Sequence, residues 1–553
     1  MTIDLALGLK RVLESHPLTF INPDRRGMIQ EVVENREAVV SACGALATWT
    51  AVESTGRSPA DTVIVRHSET EHLIDWDSPN NLPITEETFD LILEDSLAML
   101  ERHAKLYVSD RALGSDPKHV LPVRTVSDRM LTILFADNMF RPLPPEARHS
   151  PLADKPFTLL VFANHKLDPR RYEGRLRFDK KAGRVSNMVI AMDFDNRVGV
   201  VYGSAYCGSV KKLMFTVMNY LLPDLGILPL HCSANEGPNQ DVALFLGLSG
   251  TGKTSLSADP GRLLLGDDEH AWSDDGISNL ENGCYAKLIN LNPEKEPEIY
   301  HACFHRAHYL EHGAIIENAM MYPNGAFDLN DERLTPNSRG SYPLSFLPNT
   351  KNPPIGGHPR TIIFLTADAN GVLPPIAKLT HNQAMLWFLL GYTSKLAGTE
   401  TGIVEPKTTF SRFFGQPFMP RNPDIYAHLL GEKLLKHKSG AFLVNTGWSG
   451  GPYGQGYRMD IGLTRRLIHA ALDGTLDDVG CIEDRRFHLV IPKSVGSTPL
   501  KHPRDTWADK SAYEARADKL AAEFRAHFEK NYSGKGIAEE VAHECPGPLG
   551  AGH

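Results

Sequence analysis

The stretch that most constrains this chain is Asp241–Ser257, DVALFLGLSGTGKTSLS. Val242 to Leu246 reads as a buried strand that breaks at Gly247, and Gly252-Lys253-Thr254 then leads into a helix-compatible segment. The pattern is G-x-x-x-x-G-K-[ST] in a strand–loop–helix setting, the phosphate-cradling loop. Glycines at 247, 250 and 252 let backbone N–H groups converge on phosphate oxygens where side chains would block them. The helix adds its positive end, Lys253 a mobile charge, and Thr254 a hydroxyl for Mg²⁺. Gly247, Leu248, Ser249, Gly250, Thr251, Gly252, Lys253, Thr254 and Ser255 are therefore the candidate residues of a nucleoside triphosphate site.

With 553 residues the chain exceeds one ordinary core, so two large domains are expected. A net charge of −9 is mild for this length and argues against a nucleic-acid coat or a membrane-surface role. The 7 cysteines are scattered and never spaced C-x-x-C, which suits reduced thiols better than a disulfide framework. The amino terminus lacks a signal-peptide pattern, and no run of about 18 apolar residues exists for a membrane span. The expectation is a soluble, cytoplasmic protein.

Along the chain, the first fifty residues read as helical, broken near Pro23, and a polar turn at Thr55–Asp61 leads into the strand Thr62–Val65. Residues 85–103 form the clearest amphipathic helix, with Phe89, Ile92, Leu93, Leu97 and Leu100 on one stripe. Strands are expected at Phe157–Phe162, Met188–Phe194 and Val198–Tyr202, and a helix from Tyr206 to about Leu222. Pro223-Asp-Leu-Gly226 punctuates its end, which divides the chain into 1–226 and 227–553. Beyond the phosphate loop, the strand Leu263–Leu265 ends in Gly266-Asp267-Asp268-Glu269-His270, acidic residues where a nucleotide-bound cation is commonly held. Further strands are expected at Thr361–Thr366 and Ala441–Asn445, the latter running into a glycine-shaped loop. The tail, Ala512–Phe528, reads as a surface helix. The fold class is α/β.

A phosphate loop, an Asp pair and nearby cations suit phosphoryl transfer, and would equally serve a nucleotide switch or motor. Several separated motifs narrow the choice. TGRSP around Arg57, YCGSVKK (206–212), HCSAN (231–235), GLSGTGKTSLS, GDDEHAW, GCYAK (283–287), NSRGSYP around Arg339 and NTGWSGGPYG resemble, in order, the ATP-dependent phosphoenolpyruvate carboxykinase family. The resemblance spans roughly residues 50–475 and is far more specific than the loop alone.

That resemblance implies an N-terminal substrate-binding α/β domain, a C-terminal mononucleotide-binding α/β domain with the phosphate loop, and an active site in the cleft. It implies conversion of oxaloacetate and ATP to phosphoenolpyruvate, ADP and CO₂, a gluconeogenic step, with Mn²⁺ and Mg²⁺. Partners are small molecules only, with neither nucleic acid nor membrane, and a monomer is expected. Lys212, His231 and Asp268 match the family's transition-metal ligands, and Thr254 the Mg²⁺ ligand. A lysine binds metal only when neutral, which the cation and its neighbours must enforce. Alone, Lys212 would read as a surface lysine, and Lys211 is assigned that role; His231 alone would read as a core histidine. Arg57 matches the substrate-carboxylate ligand, against the plainer reading of a turn arginine paired with Asp61. Tyr206 matches a second substrate contact, Arg339 a bridge between substrate and γ-phosphate, and Lys253 and Lys287 cations on the moving phosphoryl group. Arg458 and Thr464 match positions beside the nucleotide. Glu281 and Glu296 lie near matched positions and read as structural.

Four departures stand out: Ala60 for a lysine, Ser209 for a glutamate, Asn282 for a glycine, and an insertion at His301–His312, about seven residues longer than the family's direct run. The three substitutions touch no metal ligand, so altered tuning is expected from them. In the insertion His301, His305, His308 and His312 fall at i, i+4, i+7 and i+11, one face if the segment is helical, and an accessory zinc or pH-sensitive element would follow. Rival readings are a GTP-dependent carboxykinase, a protein kinase sharing the loop, such as a bacterial HPr kinase, and an ATP-binding regulator without turnover.

Overall fold

A computed structural model describes residues 4–248, 250–395 and 406–547. The chain forms two compact units, one of Met1–Leu221 with Asn279–Thr350, the other of Leu222–Ser278 with Lys351–His553. A single cut at 226 misses the return of Asn279–Thr350 to the first unit.

The first unit is built on a nine-stranded mixed sheet. Strands Leu121–Ser127, Phe157–Phe162 and Val198–Tyr202 run parallel at its centre. Helices Leu5–Ser15 and Glu86–Arg102 cover one face, and the expected stripe of Phe89, Ile92, Leu93 and Leu100 is buried there beside Leu5, Leu9 and Val12. The returning segment builds a second, five-stranded sheet, in which Gly283–Lys287, Arg339–Pro343 and Ile315–Glu317 join Leu46–Thr48 and Val39–Val40. Val39–Val40 and Leu46–Thr48 are thus strands where helix was expected. The first pairs with the second, and the second takes a parallel partner some 270 positions downstream, Ile315 opposite Leu46, beyond the reach of local periodicity. Helix Met130–Met139, apolar on nearly every side, packs against both sheets.

In the second unit an eleven-stranded mixed sheet has Val242–Leu246, Pro359–Thr366 and Gly440–Asn445 as parallel neighbours. Ala243 and Phe245 face a core shared with helix Ile461–Asp473, while Val242, Leu244 and Leu246 face one shared with His381–Leu390 and Pro423–His437. Two covered faces explain why Val242–Leu246 is an unbroken apolar run. The tail helix, Lys510–Tyr532, is no surface helix: Tyr513, Ala517, Leu520, Ala521, Phe524, Phe528 and Tyr532 form a buried stripe. No described helix is long and apolar enough to cross a membrane.

Candidate active site

Each unit holds its own share of the candidate residues. In the second, the loop leaves the end of Val242–Leu246, where Gly250 and Gly252 adopt left-handed φ of 87° and 89° and open the short helix Lys253–Ser257. A Cβ at Gly247 would strike Thr251 and Leu365, so a side chain there cannot be accommodated. Thr251 Oγ1 donates to the Leu248 carbonyl at 2.7 Å, and Thr446 Oγ1, from the end of a neighbouring parallel strand, donates to the Thr251 carbonyl at 3.1 Å. Thr254 and Ser255 follow on the helix, half-buried. Ser249 lies outside the described residues. This is the carboxyl edge of a parallel sheet, where α/β folds bind ligands.

Lys253 Nζ lies 2.8 Å from Asp268 Oδ1, and His231 Nε2 lies 2.9 Å from the same oxygen. His231 Nδ1 donates to the Phe414 carbonyl at 2.5 Å, which fixes a proton there and aims Nε2 at Asp268. A carbonyl on the far nitrogen is how metal-binding imidazoles are oriented. The loop that delivers this carbonyl is strained. Phe413 and Phe414 sit at φ of 60° and 55°, costly for bulky residues, and the packing of their rings on Phe388, Tyr426 and Phe364 offsets that cost. Gly415 lets the loop come within van der Waals contact of His231. No sequence motif marks this pair.

Arg458 Nε donates to the Thr446 carbonyl at 3.4 Å, one residue's contact from the loop, and its guanidinium lies 5.6 Å from the Trp448 ring centroid. Thr464 is buried, its hydroxyl donating to the Asp460 carbonyl at 3.1 Å within its own helix.

In the first unit, Lys287 and Arg339 are direct register partners on antiparallel strands, and Glu317 faces Arg339 on the next. Burial, then the adjacent Arg339 charge, hold the Lys287 ammonium below its ordinary pKa. Asn337 Oδ1 accepts from Arg339 Nε and Nη2 at 3.0 and 2.8 Å, while Asn337 Nδ2 donates to the Thr55 carbonyl at 2.9 Å. One side-chain amide thus fastens Arg339 to the turn carrying Arg57. Asp61, buried a few residues beyond Arg57, takes the Arg177 fork at 2.9 Å on both oxygens and the Ser58 hydroxyl at 2.6 Å. Tyr206, buried, packs its ring 5.7 Å from Tyr285, over which the Arg339 guanidinium lies at 5.6 Å. Tyr285 and the Cys207 amide both donate to Glu317, whose carboxyl is pushed up to about 7 by burial.

Lys212 is half-buried, its Nζ 5.0 Å from the Phe215 ring centroid. Lys211 is the residue misjudged. It is buried, and its Nζ meets Glu281 Oε1 at 3.0 Å with both side chains under 5% exposed. Adjacent residues on a helix point about 100° apart, so one lysine faces the core while its neighbour does not. Ser209, in place of a glutamate, shares a 2.8 Å hydrogen bond with Ser204.

The insertion does not form one helix. Pro297–Phe304 ends as His305 turns extended, and a separate turn, Tyr309–His312, is capped by His308. His312 is buried with both nitrogens engaged, Nδ1 accepting from the Ala314 amide and Nε2 donating to the His305 carbonyl. The shared histidine face, and the zinc site drawn from it, therefore have no helix to rest on.

Comparison with known proteins bears on the family of the whole chain. A family model described as phosphoenolpyruvate carboxykinase matches residues 18–501. The chain is 46% identical over 537 residues to the phosphoenolpyruvate carboxykinase (ATP) of Geobacillus kaustophilus (strain HTA426), covering 96% of both chains. It is 45% identical over 529 residues to phosphoenolpyruvate carboxykinase (ATP) 1 of Moorella thermoacetica, covering 95% of this chain and 96% of that one. A third relative, from Rhizobium rhizogenes, carries the same name at 46% identity over 506 residues, covering 91% and 90%. Motifs, fold and whole-length similarity agree: the chain belongs to the ATP-dependent phosphoenolpyruvate carboxykinase family.

Proposed function

We propose that the protein is a carboxy-lyase converting oxaloacetate and ATP to phosphoenolpyruvate, ADP and CO₂, with the first unit binding oxaloacetate and the second the nucleotide. In the first step the bond to the departing carboxylate breaks and its electron pair forms the enolate of pyruvate. The enolate oxygen then attacks the γ-phosphorus as the bond to ADP breaks. Arg57 and Tyr206 bind the retained carboxylate, the first as a bidentate fork and the second through its hydroxyl. Arg339, Lys287 and Lys253 offset charge on the phosphoryl group in flight. The loop amides from Gly247 to Ser255 hold the phosphates, with Arg458 and Thr464 beside the nucleotide.

The observation that carries the reading is the His231–Asp268 pair beside the loop lysine, with the imidazole ring already oriented by the Phe414 carbonyl. An imidazole and a carboxylate fit Mn²⁺ as donors, and Lys212 is the third ligand that the family resemblance implies. Mn²⁺ there, and Mg²⁺ brought with ATP to Thr254, would supply positive charge for the enolate and phosphate oxygens. The gluconeogenic direction, the cytoplasmic setting and a monomeric state are parts of the same proposal.

The test is direct. Protein, oxaloacetate, ATP, Mg²⁺ and Mn²⁺ are mixed and phosphoenolpyruvate and CO₂ are followed, with GTP in a parallel reaction. ATP-dependent, equimolar products are expected. Tight ATP binding without phosphoenolpyruvate would sink the proposal in favour of a regulator, and preference for GTP would move the chain to the rival nucleotide class.

A further inference from the structure

A second gathering of ligating groups lies at the carboxyl ends of central strands of the nine-stranded sheet, and none belongs to the residues assigned above. Strands Leu121–Ser127 and Phe157–Phe162 run parallel with Ser127 opposite Val161, so Asp128 and His165, just beyond their carboxyl ends, emerge side by side. Strand Leu106–Leu113 runs antiparallel to the first, Tyr107 opposite Ser127. Its approach therefore brings His103, the residue that ends helix Glu86–Arg102, to the same place.

Asp128 Oδ2 lies 2.8 Å from His165 Nε2 and 3.5 Å from His103 Nε2. One donor atom from each residue lies within 4.8 Å of the other two. The Asp128 side chain is 4% exposed, and its other oxygen, Oδ1, is buried with no hydrogen-bond partner. Leaving such an oxygen unsatisfied forfeits its hydration with nothing in return. A simple His–Asp ion pair would need one imidazole. Here two converge on one oxygen while the second oxygen has nothing.

The tautomer of His103 is set from outside the cluster. His103 Nδ1 lies 3.1 Å from the Lys105 carbonyl, so it holds the proton and leaves the Nε2 lone pair for the cluster. That is the arrangement by which metal-bound histidines are oriented. His16 completes the support: its Nδ1 accepts from the Leu18 amide, so its Nε2 donates to the His103 carbonyl at 2.8 Å.

We infer that His103, Asp128 and His165 bind a divalent transition-metal cation of the zinc type, with water at a fourth position. Ligand atoms about 2.0–2.2 Å from a tetrahedral zinc are roughly 3.3–3.5 Å apart. His103 Nε2 and Asp128 Oδ2 already stand at 3.5 Å, and His165 Nε2, now at 2.8 Å, would exchange its hydrogen bond for the ion. Two imidazoles and one carboxylate select against Mg²⁺ and Ca²⁺, which take oxygen ligands. The ion would tie together the end of one helix and the ends of two strands, so it stabilises the folded first unit by mass action.

The experiment titrates Zn²⁺ by calorimetry, and Co²⁺ by visible absorption, into the full-length protein and its His103→Gln/His165→Gln variant. His231 and Asp268 are intact in both, so any ion they hold cancels in the difference. The double variant is expected to bind one equivalent fewer of Zn²⁺ and to lack a tetrahedral Co²⁺ band. It should keep its far-UV circular dichroism and its phosphoenolpyruvate formation. Equal stoichiometry and equal Co²⁺ spectra overturn the assignment. If the double variant does not fold, His165→Gln alone decides: a Zn²⁺ affinity at least tenfold weaker supports the site, and an unchanged affinity removes it. A wild type that binds the extra Zn²⁺ but makes no phosphoenolpyruvate would refute the proposed activity and leave this site standing.

Discussion

Asn337 shows what single residues contribute beyond motif. It touches no proposed substrate atom, yet its amide holds Arg339 by two hydrogen bonds and the Arg57 turn by a third. Hydrogen bonds to a charged group contribute about 1.5–3 kcal/mol each way they are lost, and misplacing an anchor by about 1 Å can cost 10²-fold in rate. Asn337→Ala is therefore expected to lower kcat/KM for oxaloacetate roughly 10–100-fold while ATP binding is unchanged; unchanged kcat/KM would show that Arg339 needs no such brace. Lys211 and Lys212 give a second contrast. Lys212→Arg should abolish Mn²⁺ dependence with little change in unfolding midpoint, because arginine supplies no neutral nitrogen. Lys211→Arg should instead overpack the buried pair with Glu281 and destabilise the protein by about 1–3 kcal/mol, leaving Mn²⁺ affinity intact. If both variants lose Mn²⁺ affinity alike, the ligand assignment fails. The loop is legible from its own glycine and lysine spacing and the acidic pair from its place after the next strand, whereas His231 joins them only through the family resemblance. Phe414 and Asn337 are not legible: the one acts through a backbone carbonyl, the other by bracing.

At the scale of elements, apolar periodicity located the helix Glu86–Arg102 and the strands Phe157–Phe162 and Val198–Tyr202 to within a residue, since each buries one regular face or two. In the tail helix the alternation of alanines with charges masks the buried stripe of Tyr513, Leu520, Phe524, Phe528 and Tyr532. The histidine insertion failed for another reason. Its spacing allows one helix, but His308 caps a new turn and His312 spends both nitrogens on backbone groups. That use has a pH consequence. Burial first, then the neighbouring His305 and Arg25 charges, push His312 down to about 4. The unfolded chain takes up this proton near its ordinary pKa of about 6.5, the folded chain only near 4. Its contribution to stability is complete above the unfolded value and is lost as pH falls through that interval. Relative to His312→Gln, the wild type should lose about 2–3 kcal/mol of unfolding free energy between pH 7 and pH 4, read from urea midpoints. Parallel pH curves for the two proteins would contradict this.

For the whole molecule, the path of the chain decides which fragments can stand. Strand Leu46–Thr48 is fully buried, and its parallel partner is Ile315–Glu317. Asn138, on helix Met130–Met139, donates to the Gly313 carbonyl at 3.1 Å and to Ser341 Oγ at 2.9 Å. The helix itself buries Ile133, Leu134, Phe135 and Met139. A cut at Gly226, natural on punctuation, removes all of these partners, because parallel pairing across such a separation leaves no local trace. Residues 1–226 alone would then expose the strand edge and part of an apolar helix, at about 25 cal/mol for each Å² returned to water. We expect that fragment to aggregate, or to unfold without a cooperative transition, when followed by size-exclusion chromatography and circular dichroism. Adding residues 279–350 in trans should restore solubility by completing the five-stranded sheet. The functional halves follow the same logic: Arg57 and Tyr206 precede the excursion, whereas Lys287 and Arg339 belong to the return. Oxaloacetate binding, as proposed, therefore needs both pieces. A 1–226 fragment that is monomeric, unfolds cooperatively and binds oxaloacetate as the full chain does would show that the return segment is an appendage rather than half of the first unit.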